Sequence, residues 1–197
     1  MRILAAFLFT TLCLQQAHAQ AADAQGRQPP QPPGAYLQTV AQLDDPRGFC
    51  FDLAGFPVPS FDTAVQAHTC KESYDHRDQL YEEAAAKNGQ LKLPAYANRC
   101  LAAEGDKIFA RPCAASPAQK WLISTGGALR PASDPTLCVT IGAESGLAGH
   151  PEEVRPSWLH RTISLSTCDW KIAARQMWRL KAPEAPMHVG PEQPARN

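Results

Sequence analysis

The chain has 197 residues, with 19 basic against 19 acidic side chains, 44% hydrophobic residues and 8% aromatic ones. That length suits one ordinary domain or two very small ones, and the balanced charge removes the electrostatic case for a nucleic-acid partner or an anionic membrane surface. A neutral, moderately apolar chain with four Trp can bury a core, which excludes wholesale disorder.

Met1 and Arg2 precede an apolar run over residues 3–14, followed by Gln15, Gln16 and Ala17-His18-Ala19. This pattern predicts a secretory signal over 1–19, cleaved at a small-x-small site before Gln20. The run is too short to span a bilayer, so no membrane insertion is expected once the signal is removed. Leu12 before Cys13 argues against lipid attachment, which requires a small residue there. Cleavage would leave 178 residues carrying 18 basic and 19 acidic side chains, in a secreted or periplasmic protein.

Removal of Cys13 leaves Cys50, Cys70, Cys100, Cys113, Cys138 and Cys168. Six cysteines in an exported chain predict disulfides, with fifteen pairings open. No two stand at the Cys-x-x-Cys spacing of a zinc or redox site. Two stretches read as Pro-rich linker and tail. Residues 20–35 include Gln28-Pro29-Pro30-Gln31-Pro32-Pro33-Gly34, which favours extended polyproline conformation. Residues 182–197 hold four prolines and almost no large apolar side chains. A folded body is expected over 36–181.

Within that body an internal repeat is visible, and a repeat decides fold class before local propensity does. Phe49-Cys50-Phe51-Asp52-Leu53, Arg99-Cys100-Leu101-Ala102-Ala103 and Leu137-Cys138-Val139-Thr140-Ile141 align on a first cysteine. Val65-Gln66-Ala67-His68-Thr69-Cys70, Ile108-Phe109-Ala110-Arg111-Pro112-Cys113 and Ile163-Ser164-Leu165-Ser166-Thr167-Cys168 align on a second. Apolar positions alternate in all six, the period of a half-buried strand. Each repeat closes on Gln-x-aromatic: Gln79-Leu80-Tyr81, Gln119-Lys120-Trp121 and Gln176-Met177-Trp178. Asn88-Gly89 and Gly126-Gly127, read as hairpin turns, follow the first two closing motifs, each eleven residues before the next first cysteine. Residues 82–87 are too short a helical stretch to alter an all-β reading.

Three repeats of this kind resemble the ricin B-type lectin domain, over about residues 36–181. The resemblance implies an all-β chain folded as a β-trefoil of three pseudo-symmetric repeats. It also implies one disulfide within each repeat: Cys50 to Cys70, Cys100 to Cys113 and Cys138 to Cys168. Two features depart from the family pattern: Tyr81 replaces the first Trp, and the cysteines of successive repeats lie twenty, thirteen and thirty residues apart.

A shallow sugar site needs a carboxylate or amide fork for vicinal hydroxyls and a ring for the CH face. The resemblance implies such a site in the first repeat, at Asp52, Gln66, His68, Asp78 and Gln79. Asp52 would accept two hydroxyls, with Gln66 and Asp78 beside it. His68 stands where the family has Trp or Tyr; it can stack weakly or hydrogen-bond instead, and Tyr74 or His76 in the following loop can supply the ring. Ala102, Phe109, Arg111 and Ala118 fail the pattern in the second repeat, as do Thr140, Ser164, Ser166 and Arg175 in the third. One shallow site predicts weak binding, millimolar to high micromolar.

Alternative readings stand beside these. Asp52 can instead cap a turn near Gly55; Gln79 can be structural, since Gln119 and Gln176 survive without a site. His68, Asp75, His76 and Asp78 have no fixed ligand spacing, so neither metal nor cofactor is expected. Enzyme signatures are absent, and the pairs Asp44-Asp45 and Glu152-Glu153 are sequence neighbours rather than opposed catalytic carboxylates. The expected partner is therefore a glycan or glycoconjugate. A trefoil that has lost sugar binding and acts as an interaction or inhibitor module is the alternative, with a protein partner on the loop 142–161, which contains Trp158 and His160.

Overall fold

The strings around the six cysteines are strands, as their alternation predicts. The computed structural model describes residues 34–55, 59–71, 77–123, 127–148 and 158–184. The expected signal at 1–19, nearly all of the linker and most of the tail lie outside the described residues.

Among the described residues the first repeat contributes β1 (Ala35–Thr39), β2 (Phe49–Asp52), β3 (Gln66–Thr69) and β4 (Leu80–Tyr81). The helix α1 (Glu83–Lys87) leads to the second repeat, β5 (Lys92–Leu93), β6 (Arg99–Glu104), β7 (Lys107–Pro112) and β8 (Trp121–Ile123). The third consists of β9 (Leu129–Pro131), β10 (Leu137–Ile141), β11 (Gly146–Ala148), β12 (Trp158–Thr167) and β13 (Trp178–Lys181). Each repeat is thus a four-strand unit around one antiparallel hairpin, β2–β3, β6–β7 or β10–β12, and β11 is an addition to the third. The last strand closes on the first, with Tyr36 opposite Lys181 and Thr39 opposite Trp178. This is a β-trefoil.

The repeat reappears in the core. Phe51, Leu101 and Val139, each one residue after a first cysteine, are fully buried, as are Ala67 and Ala110 three before a second cysteine; Leu165 is buried at the same place. Tyr81, Trp121 and Trp178 join them in one cluster, with the Phe51 ring 4.6 Å from Trp178 and 6.4 Å from Tyr81. Disulfides join Cys50–Cys70, Cys100–Cys113 and Cys138–Cys168, closing separations of 20, 13 and 30 residues. Each contributes about 3 kcal/mol by restricting the unfolded chain, in the entropy model.

One of the two expected hairpin turns has another structural meaning; Gly126-Gly127 falls in the sequence between the antiparallel strands β8 and β9, with Gly126 itself outside the described residues. Asn88-Gly89 does not join two strands directly: it ends α1, with the Asn88 and Gly89 amides donating to Ala85 O and Ala86 O. Gly89 and Gly127 both have positive φ, +75° and +86°, and both carbonyls accept from the next repeat's Trp, Trp121 N at 2.8 Å and Trp178 N at 2.7 Å. A side chain at Gly89 would meet Trp121 O at 2.8 Å, and one at Gly127 would meet Trp178 O at 3.3 Å. The glycines recur because neighbouring repeats approach there.

The exchange of Trp for Tyr at 81 also has a consequence. Trp121 and Trp178 donate their indole N–H to Leu101 O and Val139 O, at 3.0 and 2.9 Å. Tyr81 has no donor at that place, and its buried hydroxyl has no hydrogen-bond partner among the described residues.

Candidate functional site

The register of β2 and β3 sets Asp52 opposite Gln66 and Cys50 opposite His68. Side chains alternate along a strand, so Asp52, Gln66 and His68 share one face with the Cys50–Cys70 disulfide. That bond holds the end of β3, and Lys71 follows it directly. A 3-10 turn, Arg77–Gln79, then returns Asp78 and Gln79 to the same place.

Gln79 is fully buried and brackets Cys70. Its Oε1 accepts from Lys71 N at 2.9 Å, and its Nε2 donates to Thr69 O at 3.2 Å and to Asp52 Oδ2 at 2.8 Å. Gln119 does the same around Cys113, accepting from Ala114 N and donating to Pro112 O. Gln176 does so around Cys168, between Asp169 N and Thr167 O. The structural reading of this glutamine therefore has a concrete content: it fixes the chain on both sides of the second cysteine.

Asp52 is 2% exposed, and its partners are those of a cluster rather than of a turn at Gly55. Besides Gln79 it meets Lys71 Nζ at 2.8 Å, and the same ammonium lies 2.6 Å from Asp78 Oδ2. Lys71 was not among the residues expected from sequence. The signal for it was available: two carboxylates brought together repel unless a cation sits between them, and Lys71 is the base next to the disulfide. Burial opposes its charge, but Asp52 and Asp78 outweigh that and raise the Lys71 pKa above its ordinary value. Burial pushes the Asp52 carboxyl up, against the pull of Lys71 and the amides of Gln79 and Gln66.

His68 is 6% exposed. Burial, with the Lys71 charge nearby, lowers its pKa to about 4, so the ring is neutral at pH 7. Its Nδ1 lies 2.8 Å from Thr69 O; a carbonyl only accepts, so Nδ1 carries the proton and Nε2 keeps its lone pair.

The insertion in the third repeat does not project as an isolated loop. β11 and the first half of β12 pair with each other and extend the first repeat's hairpin, with His160 opposite His68 and Thr162 opposite Gln66. Arg161 anchors this extension: its guanidinium lies 2.7 Å from Asp44 Oδ1, donates to Gly142 O at 2.6 Å and covers the Phe49 ring. The half-buried Trp158 ring thereby sits edge-on to His68, centroids 5.4 Å apart. Tyr74 and His76, expected to provide a ring, lie outside the described residues, as do Asp75, Glu152 and Glu153.

The equivalent places in the other repeats hold different chemistry. In the second, Arg111 is paired with Glu104 and lies over Phe109. In the third, Thr140 bonds Ser166 at 2.7 Å and accepts from Gln176 at 2.8 Å, while Arg175 donates to Ile141 O.

Known structures share this architecture. The mdaA-1 domain matches at 17% identity and a TM-score of 0.53, over 81% of this chain and 96% of that one. A chain of the cytolethal distending toxin from Actinobacillus actinomycetemcomitans matches at 17% and 0.52, over 78% and 94%. The C-terminal half of an earthworm R-type lectin, solved in complex with GalNAc, matches at 16% and 0.51, over 77% and 99%. Comparison with protein-family models and with curated protein sequences finds no match. The chain has a ricin B-type lectin fold.

Proposed function

We propose that this chain is an exported carbohydrate-binding module with one weak sugar site, at the outer end of the β2–β3 hairpin. The observation that carries the reading is the convergence there of two carboxylates, an ammonium, an amide and a neutral imidazole just beneath the surface, with Lys71 and Asp78 reaching it. Sugar hydroxyls both donate and accept, so a site for them needs both kinds of group within one ring's reach. Lys71 and Asp78, 12% and 16% exposed at their side chains, form the rim with Gln66. Asp52 is the fixed base beneath them, and Gln79 holds it. Three disulfides suit the oxidising compartment that export would provide.

Few groups reach solvent, so affinity for a single sugar is expected in the millimolar to high micromolar range. A glycan array probed with the oxidised chain, displayed multivalently, tests the reading. Specific signal that Asp78→Ala removes supports it; Lys71 keeps Asp52 as partner in that variant, so the fold is retained. Silence of the wild-type chain on every glycan refutes it, and leaves the interaction-module reading, for which the exposed Leu147 on β11 and Trp170 after Cys168 are the available surface.

A further inference from the structure

Beside the sugar site, on the same face of the sheet, lies a cleft of 490 Å³ between the turn after β1 and the end of β13. Its walls include Arg47, Arg179, Lys181, Trp158 and one carboxylate, Glu184. Arg47 is paired with the buried Asp45 at 2.7 Å and Lys181 with Glu184 at 2.9 Å. Arg179 differs. Its Nε and Nη2 donate to the neutral Gln38 Oε1, at 3.1 and 2.8 Å, and among the described residues no carboxylate cancels its charge.

Gln38 is 3% exposed, and its amide is committed at both ends. While Oε1 holds Arg179, Nε2 donates to Arg47 O at 3.0 Å and approaches Cys70 Sγ at 3.5 Å. Gly48, with φ +71°, permits this: a Cβ there would lie 3.1 Å from Gln38 Nε2. A buried amide thus spends its bonding capacity on orienting the guanidinium of an exposed residue, and it occupies only Nε and Nη2 of that donor fork. That arrangement suits bidentate contact with a carboxylate or sulfate.

Strand pairing ties the cleft to the hairpin that carries the sugar site. Arg179 pairs with Gln38, Gln38 with Cys50, Cys50 with His68 and His68 with His160, so one row crosses five adjacent strands. Three strand spacings separate Arg179 from His68, about 14 Å, the span of a short oligosaccharide rather than of one ring. Trp158 touches His68 at one side and lines the cleft at the other.

We infer that the cleft is a second subsite, which takes an acidic substituent, carboxylate or sulfate, of an oligosaccharide whose neutral unit occupies the Asp52 site. The inference rests on the sugar reading above and names the ligand class. It is tested with the full oxidised chain on an array that carries each neutral oligosaccharide beside its sialylated and its sulfated form, with Arg179→Gln and Asp78→Ala on the same slides. Anionic forms are expected to bind roughly tenfold more tightly than their neutral parents, the worth of one charge-assisted bidentate contact. Arg179→Gln should bring that ratio close to one, and Asp78→Ala should weaken all forms. A preference for the sialylated form identifies a carboxylate ligand and one for the sulfated form a sulfate; either supports the inference. Equal binding of neutral and anionic forms, with loss in Asp78→Ala, overturns the subsite and leaves the sugar reading intact. A preference that survives Arg179→Gln, or one insensitive to Asp78→Ala and reproduced by a poly-glutamate peptide, also overturns it. Silence on all glycans removes the sugar reading and this inference with it.

Discussion

The Gln79 side-chain amide donates to the Asp52 carboxylate at 2.8 Å, and Gln176 makes the same bond, at 2.8 Å, to the Thr140 hydroxyl. Asp52 therefore has two separable duties. One, accepting from the glutamine that brackets the second cysteine, needs only an oxygen. The other, carrying charge against Lys71, needs a carboxylate. In the third repeat the first duty survives without the second.

Tyr81 follows the same logic of repeats. Its buried hydroxyl has no partner among the described residues, whereas the two tryptophans at its counterparts are bonded. A buried, unpaired polar group destabilises. Tyr81→Phe is predicted to raise unfolding free energy by about 1 kcal/mol, read as a higher urea midpoint with the disulfides intact. A lower midpoint would mean that the hydroxyl contributes to the fold.

His68 gives the fold a dependence on acid. Its pKa falls from 6.5 to about 4 on folding, because burial penalises the charged ring. Between these values the unfolded chain binds more protons than the folded one, so stability is full above pH 6.5 and declines as pH falls toward 4. The shift corresponds to about 3 kcal/mol. His68→Asn keeps a donor for Thr69 O and does not titrate, so its stability should be flatter across that window. Parallel curves for the two proteins would contradict the assignment.

Glycine positions separate backbone strain from crowding. Gly89 and Gly105 both have positive φ, +75° and +63°, but a Cβ at Gly105 would meet nothing within 4 Å, while one at Gly89 would lie 2.8 Å from Trp121 O. Gly105→Ala should cost about 1 kcal/mol, the conformational penalty alone. Gly89→Ala is predicted to cost more, since the adjoining repeat must shift as well. Equal losses in thermal or urea unfolding would show that the approach of repeats tolerates a methyl group.

The parts of this fold set by local pattern were legible in the sequence. Period-two alternation around Cys50, Cys100 and Cys138, the paired cysteines and the closing Gln-x-aromatic motifs each recur within one repeat, so three copies reinforce one another. The strand addition of β12 to β3 was not legible, because pairing His160 with His68 joins segments 92 positions apart and leaves no periodic trace in either. The ring beside His68 was consequently sought in the next loop, whereas Trp158 arrives from the third repeat. Lys71 stands outside the family pattern that points to the other site residues, and its place follows instead from the charge of two neighbouring acids. Asn88-Gly89 was read from its dipeptide alone; its place at the end of α1 depends on the approach of Trp121.

The most direct test of the account is a calorimetric titration of the glycan that gives the strongest array signal into the wild-type chain and into Asp52→Thr, after urea unfolding has shown the variant to be folded. Threonine keeps the acceptor for Gln79, as Thr140 does for Gln176, and removes the carboxylate. The account predicts a folded variant whose glycan affinity falls by at least roughly tenfold, the loss of one charge-assisted bond. Undiminished affinity in a folded Asp52→Thr would show that the first-repeat cluster only supports the fold and that sugar, if bound, is bound elsewhere.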